Sequence, residues 1–147
     1  MIALRSFTEN DALILQQKQY PTVSIGDIII MISSWNAKIY NGKYFEVFAI
    51  TENTRIVGSI SLYERSKSIA SVGVEVFSDE RCKGYASEGM KSVLQKAKDL
   101  GFRILQDQVS ADNKPSIALH ERAGFETDGY IYKNAKNHNV LLYTYCL

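Results

Sequence analysis

The feature that most restricts the fold of this chain is a change of hydrophobic period around Gly84. Before it, residues 44–49, 55–63 and 69–77 alternate with period two. In the last of these runs Val72, Val74 and Val76 fall on one face and Gly73, Glu75 and Phe77 on the other. After it, Ala86, Met90, Val93, Leu94, Ala97 and Leu100 recur at helical spacing, and Gly101 stands where that helix should stop. Residues 103–109 then read as a strand again. Strand, helix and strand in that order imply a parallel crossover, whereas the three earlier runs are joined by short polar turns and read as an antiparallel meander. The sheet is therefore expected to be mixed and the class α+β.

The flanks add elements on both sides. Residues 2–7 read as a strand. Thr8 with Asp11 three places on resembles a capping box for a helix running to about Gln19, and Ser24 with Asp27 opens a second. In that second helix Ile25, Ile28, Ile29, Ile32, Trp35 and Ile39 share a stripe. Each large apolar side chain gains about 1.5–3 kcal/mol on burial, so the stripe is read as core; left exposed, it would mark a protein-interaction module. A short helix at 114–123 and strands at 126–132 and 139–146 complete an expectation of about seven strands and four helices.

No repeat, low-complexity tract or Pro-rich linker divides residues 1–147, of which 46% are hydrophobic, so a single domain is expected. The charge of +1 carries no basic stripe, which argues against nucleic acid as partner. The longest apolar run, Ile28 to Ile32, falls far short of the roughly 20 residues of a membrane span. Cys82 and Cys146 form no framework and are read as free thiols. With no leader pattern at Met1, a cytoplasmic location is expected. Neither His120 nor His138 has the neighbours of a metal site, and none is expected.

The chemistry concentrates in Arg81-Cys82-Lys83-Gly84-Tyr85-Ala86, between the strand ending at Phe77 and the following helix. Unpaired N–H groups at a helix start, aligned with the peptide dipoles, hold phosphate or diphosphate. Gly84 permits close approach, Arg81 and Lys83 add positive charge, and Ala86 keeps the next turn small. Gly84 and Gly89 have the spacing of P-loop glycines, but Met90 intervenes before Lys91. That one residue turns the lysine by about 100° on a helix, which removes it from the P-loop role.

Arg81, Gly84 and Ala86 resemble the acetyl-CoA loop of the GCN5-related N-acetyltransferases, and the segment Asn113 to Phe125 is similar to that family's second motif, with Asn113, Ser116 and Gly124-Phe125 in place. The resemblance covers nearly the whole chain. It implies a GNAT-like fold with a β-α-β unit binding acetyl-CoA as cosubstrate, an amine acceptor, and direct transfer in a ternary complex; it leaves a homodimer open. The third meander strand and the strand after the crossover helix are then expected to splay. Val74 and Val76 would line the slot, the N–H of Val76 there would hold the thioester carbonyl, and residues Cys82 to Ser87 (Cys82, Lys83, Gly84, Tyr85, Ala86, Ser87) would cradle the diphosphate beside Arg81. Asn113, Ser116 and His120, spaced i, i+3 and i+7, would face the cofactor, with Arg122 either on a phosphate or in solvent.

A primary ammonium ionises at about 10.4 and must lose a proton before it attacks. Glu75 is the candidate base, with a cross-sheet ion pair as the competing reading; Gln108 could only position water or substrate. His120 stands where many family members carry a tyrosine. It is the candidate donor to the departing thiolate, against a purely packing role, with Tyr143 as the other donor. A covalent acyl-enzyme on Cys82 is set aside, because that loop would hold phosphates away from the thioester. The alternative function is a non-catalytic acyl-CoA sensor or regulatory module of the same fold.

Overall fold

The computed structural model describes all of residues 1–147. The strands are β1 (Ile2–Ser6), β2 (Ile39–Tyr40), β3 (Lys43–Glu52), β4 (Arg55–Ser66), β5 (Ile69–Val76), β6 (Ile104–Ser110), β7 (Tyr132–Lys133) and β8 (Asn139–Cys146). The helices are α1 (Ala12–Lys18), α2 (Ile25–Asn36), α3 (Tyr85–Asp99) and α4 (Lys114–Arg122). They form one mixed sheet in the order β1-β3-β4-β5-β6-β8-β7, with β2 paired to β3. β3, β4 and β5 are the expected meander, and α3 is the crossover that brings β6 parallel to β5.

Helices cover both faces. Phe48, Ile60, Leu62, Val72 and Leu105 pack against Met90, Val93 and Ala97 of α3 on one side. Phe7, Leu15, Ile28 and Ile32 pack against Val47, Ala49 and Ile56 on the other. This explains why β3 is buried at six consecutive positions, Glu46 to Thr51, although its sequence alternates. No helix is long and apolar enough to cross a membrane.

Three local expectations are corrected. Thr8 and Asp11 do pair, Thr8 N–H donating to Asp11 Oδ2 at 2.8 Å, but the box opens a one-turn 3-10 segment (Glu9–Asp11) before α1. The second helix ends at Asn36: Lys38 turns to φ 60°, and Ile39 leaves the stripe to lie 58% exposed in β2. Ile28 and Ile32 are buried and Trp35 half-buried, so the stripe does serve the core. The strand expected at 126–132 reduces to a bridge at Glu126 and the two residues of β7, because Gly129 at φ 78° and the side-chain turns at Thr127 and Asp128 hold that segment in loop conformation. The sheet thus has eight strands where about seven were expected.

Candidate functional site

The parallel pairing of β5 with β6 is confined to Ile69↔Ile104, Ala70↔Leu105 and Ser71↔Gln106. Beyond it β5 continues to Val76 and β6 turns toward β8, to which it stays paired as far as Ser110↔Val140. The edge of β5 from Val72 onward is therefore open. Phe77 N–H donates to Val57 O of β4 at 2.9 Å, so the Val76 peptide groups, one residue back, point to the opposite and open edge. Val76 O confirms that direction by accepting Arg81 Nε at 3.2 Å.

At the end of β5 a 3-10 turn (Ser78–Glu80) leads into the loop before α3. Cys82 and Gly84 both take left-handed backbone, at φ 64° and 83°. The first helical hydrogen bond is Glu88 N–H to Gly84 O, and the N–H groups of Cys82, Lys83, Gly84, Tyr85, Ala86 and Ser87 donate to no backbone carbonyl. A run of free amides at a helix start is an arrangement able to hold an anion. These amides border a cavity of about 580 Å³ whose walls include Val74 and Val76 of β5, Arg81, Cys82 and Gly84 to Ser87 of the loop, and Asn113, Ser116, Leu119 and Arg122 along α4.

Most of the residues singled out in the sequence meet here, and three do not. Lys83 does not line the cavity; its Nζ donates at 3.2 Å to Oε1 of Glu80, which does. Glu80 is 7% exposed and also receives Arg55 of β4, so this loop is tied to the sheet by a buried carboxylate that no local pattern in the sequence marks. His120 is 2% exposed and lies off the cavity wall. It follows Leu119 by one residue, about 100° around the helix. Ser116 stands at the edge of the cavity face, which centres on Pro115, Leu119 and Arg122, and His120 falls about 40° beyond it. Its Nε2 lies 2.8 Å from Asp107 Oδ2 and its Nδ1 2.7 Å from Ser116 O. Burial pushes this imidazole down, but the Asp107 carboxylate and the Ser116 carbonyl outweigh it and hold the group above its ordinary value. Burial pushes Asp107 up despite His120. Tyr143, 1% exposed, packs against His120 at 5.6 Å between ring centroids, with its hydroxyl 3.4 Å from Glu121 Oε2. Burial, with Glu121, raises its phenol above the ordinary range.

A second cavity, about 330 Å³, opens on the other side of β5. Tyr20, after α1, Trp35 of α2 and Phe45 of β3 form its walls, and Ser59 and Ser61 of β4 with Gly73 of β5 its floor. Val74 and Glu75 border both cavities. Glu75 is half exposed, with Oε1 3.4 Å from Arg81 Nη2, an ion pair made to the loop after its own strand and not across the sheet as its competing reading had it. Its charge, after burial, also raises the Tyr20 phenol, which stays protonated. Ser59 and Ser61 were legible only as polar residues interrupting the apolar β3–β5 face. Gln108 accepts from Asn134 at 3.2 Å, and Cys82 and Cys146 are exposed free thiols.

Residues 2–126 match the family model of an acetyltransferase (GNAT) domain. The chain is 32% identical over 92 residues to the SPbeta prophage-derived uncharacterized N-acetyltransferase YokL of Bacillus subtilis (strain 168), a match covering 60% of this chain and about half, 52%, of that relative's length. Among solved structures, the ribosomal L7/L12 alpha-N-protein acetyltransferase RimL in complex with coenzyme A aligns with a TM-score of 0.84 at 17% identity, covering 99% of this chain and 94% of that one. The microcin C7 self-immunity acetyltransferase MccE, in complex with acetyl-CoA and AMP, aligns at 0.81 and 18% identity, covering 99% and 92%. At these identities the structures testify to fold. The family model, which spans all the strands of the meander, the loop at Gly84 and α4, establishes that this chain belongs to the GNAT acetyltransferase family.

Proposed function

We propose that the chain transfers an acetyl group from acetyl-CoA to a primary amine by direct attack in a ternary complex. The observation that carries this reading is that two cavities meet at Val74 and Glu75, on the one stretch of β5 whose edge is open. One cavity has a row of unpaired amides at its far end and the other ends in a carboxylate, so donor and acceptor can approach the same strand from opposite sides.

The residues present fit coenzyme A. Its diphosphate matches the free amides from Cys82 to Ser87, with Arg81 and Arg122 as the cations on the same cavity, and Asn113 and Ser116 supply polar groups along α4. When bound, acetyl-CoA supplies an acyl thioester activated toward amines. Val76 N–H, directed to the open edge, donates to an oxygen on which charge develops, an arrangement that costs no reorganisation during reaction. Glu75 orients the incoming ammonium and takes its proton directly or through water; Arg81 occupies only Oε1 and leaves Oε2 without a protein partner. His120 and Tyr143, behind α4, are assigned to holding that wall in place.

The Arg81–Glu75 pair is also the observation that favours the second reading, an acyl-CoA-binding module that does not turn over, because it engages the only carboxylate at the junction. Colorimetric release of free thiol from acetyl-CoA across a broad amine panel decides between them. Release with at least one amine is expected. Calorimetric binding of coenzyme A without release from any amine would favour the module, and no binding of any coenzyme A ester would overturn both.

A further inference from the structure

Resting on the transferase reading above, the second cavity narrows the acceptor. Its only ionised side chain is Glu75, and no lysine, arginine or histidine lines it. Arg81, the cation paired with Glu75, lies on the wall of the first cavity and is engaged by Val76 O and Glu75. An acceptor with a carboxylate or phosphate beside its amine would bring that anion against Tyr20, Trp35 and Phe45 with no cation to meet it, an expensive burial. A polyamine would meet one carboxylate for several ammonium groups. The aromatic walls suit an apolar body and attract a single cation over their faces, while the floor offers the Ser59 and Ser61 hydroxyls. Tyr20 stays protonated as a further neutral donor. Phe7, with its ring centroid 5.4 Å from that of Trp35, props the indole from behind.

We propose that the acceptor is a primary monoamine on an uncharged, apolar body, seated among Tyr20, Trp35 and Phe45 with its ammonium at Glu75. Trp35 is the only tryptophan of the chain, so its fluorescence reports occupation of this cavity without requiring turnover. The test titrates the full chain, saturated with coenzyme A, with phenethylamine, phenylalanine and spermidine. The expected result is a phenethylamine Kd at least tenfold below the other two, with kcat/KM for thiol release from acetyl-CoA in the same order. Phenylalanine or spermidine binding as tightly as phenethylamine overturns the inference. So does the absence of any fluorescence change with all three amines while other amines still release thiol, an outcome that leaves the transferase reading standing. Tight phenethylamine binding without thiol release from any amine does the reverse, upholding the monoamine site and removing the transferase.

Discussion

Gly58 of β4 faces the backbone of β5 so closely that an added Cβ would lie 2.3 Å from Glu75 O and 2.9 Å from Val76 Cα. Both obstacles are main chain, and ordinary contact begins at 3.4 Å, so in Gly58→Ala the strand must yield by about 1 Å. Gly58 is paired to Val76, and Ser59 to Glu75, so the strain falls on the segment that borders both cavities. Overpacking of this kind costs about 1–3 kcal/mol, partly offset by about 0.4–1 kcal/mol from the stiffer unfolded chain. At roughly 3 °C per kcal/mol for a chain of this size, Tm should fall by up to about 8 °C. The control is Gly26→Ala in the first turn of α2, where nothing lies within 4 Å and the same entropy gain should raise Tm by about 1–3 °C. Differential scanning calorimetry compares the two, and isothermal calorimetry with coenzyme A reads the slot, with an expected loss of about five- to tenfold in affinity for Gly58→Ala. Equal Tm values for the two variants would refute the steric argument. A lower Tm with unchanged coenzyme A affinity would refute the link between strand position and slot.

In Glu75→Gln the amide accepts no proton, and thiol release with the best amine should drop by about 10²–10⁴ while the coenzyme A Kd changes less than twofold; unchanged turnover removes Glu75 from the mechanism. Gly84→Ala must hold φ 83° with a side chain, a strain of about 1–2 kcal/mol that should appear in calorimetry as about five- to thirtyfold weaker coenzyme A binding. His120 binds its proton more tightly folded than unfolded. The native state is therefore the more protonated one, and its contribution is whole below about pH 6.5 and is lost as pH rises through the elevated value. Urea unfolding between pH 6 and 9 should show that decline, and Asp107→Asn, whose amide can donate to Nε2 while Nδ1–H donates to Ser116 O, should flatten it; a slope unaltered by the substitution would exclude the pair as its source.

Glu75 was placed on its face by counting residues along β5, because strand alternation is local and survives whatever packs on the sheet. The loop around Gly84 was legible for the same reason: the conformation of Gly84 and the orphan amides of a helix start belong to a few consecutive residues. His120 was misplaced because the cavity face of α4 centres on Pro115, Leu119 and Arg122, so that Ser116 stands at its edge and His120, about 40° further round, falls outside it. Lys83 went astray because its partner, Glu80, is buried through Arg55 on β4, a residue 25 positions from that glutamate. The second cavity left almost no local trace, since Tyr20, Trp35, Phe45, Ser59 and Glu75 come from the loop after α1, from α2 and from three strands.

By itself the sequence determined the order and type of the long elements, the crossover and the loop of free amides before α3, all properties of short-range periodicity and backbone geometry. Only the tertiary structure decided that β5 and β6 part after Ser71, that Val74 and Glu75 stand between two cavities, and that His120 turns inward to Asp107. Those outcomes depend on which faces two layers of helices bury and which charges find each other across the sheet, and no window of neighbouring residues contains that information.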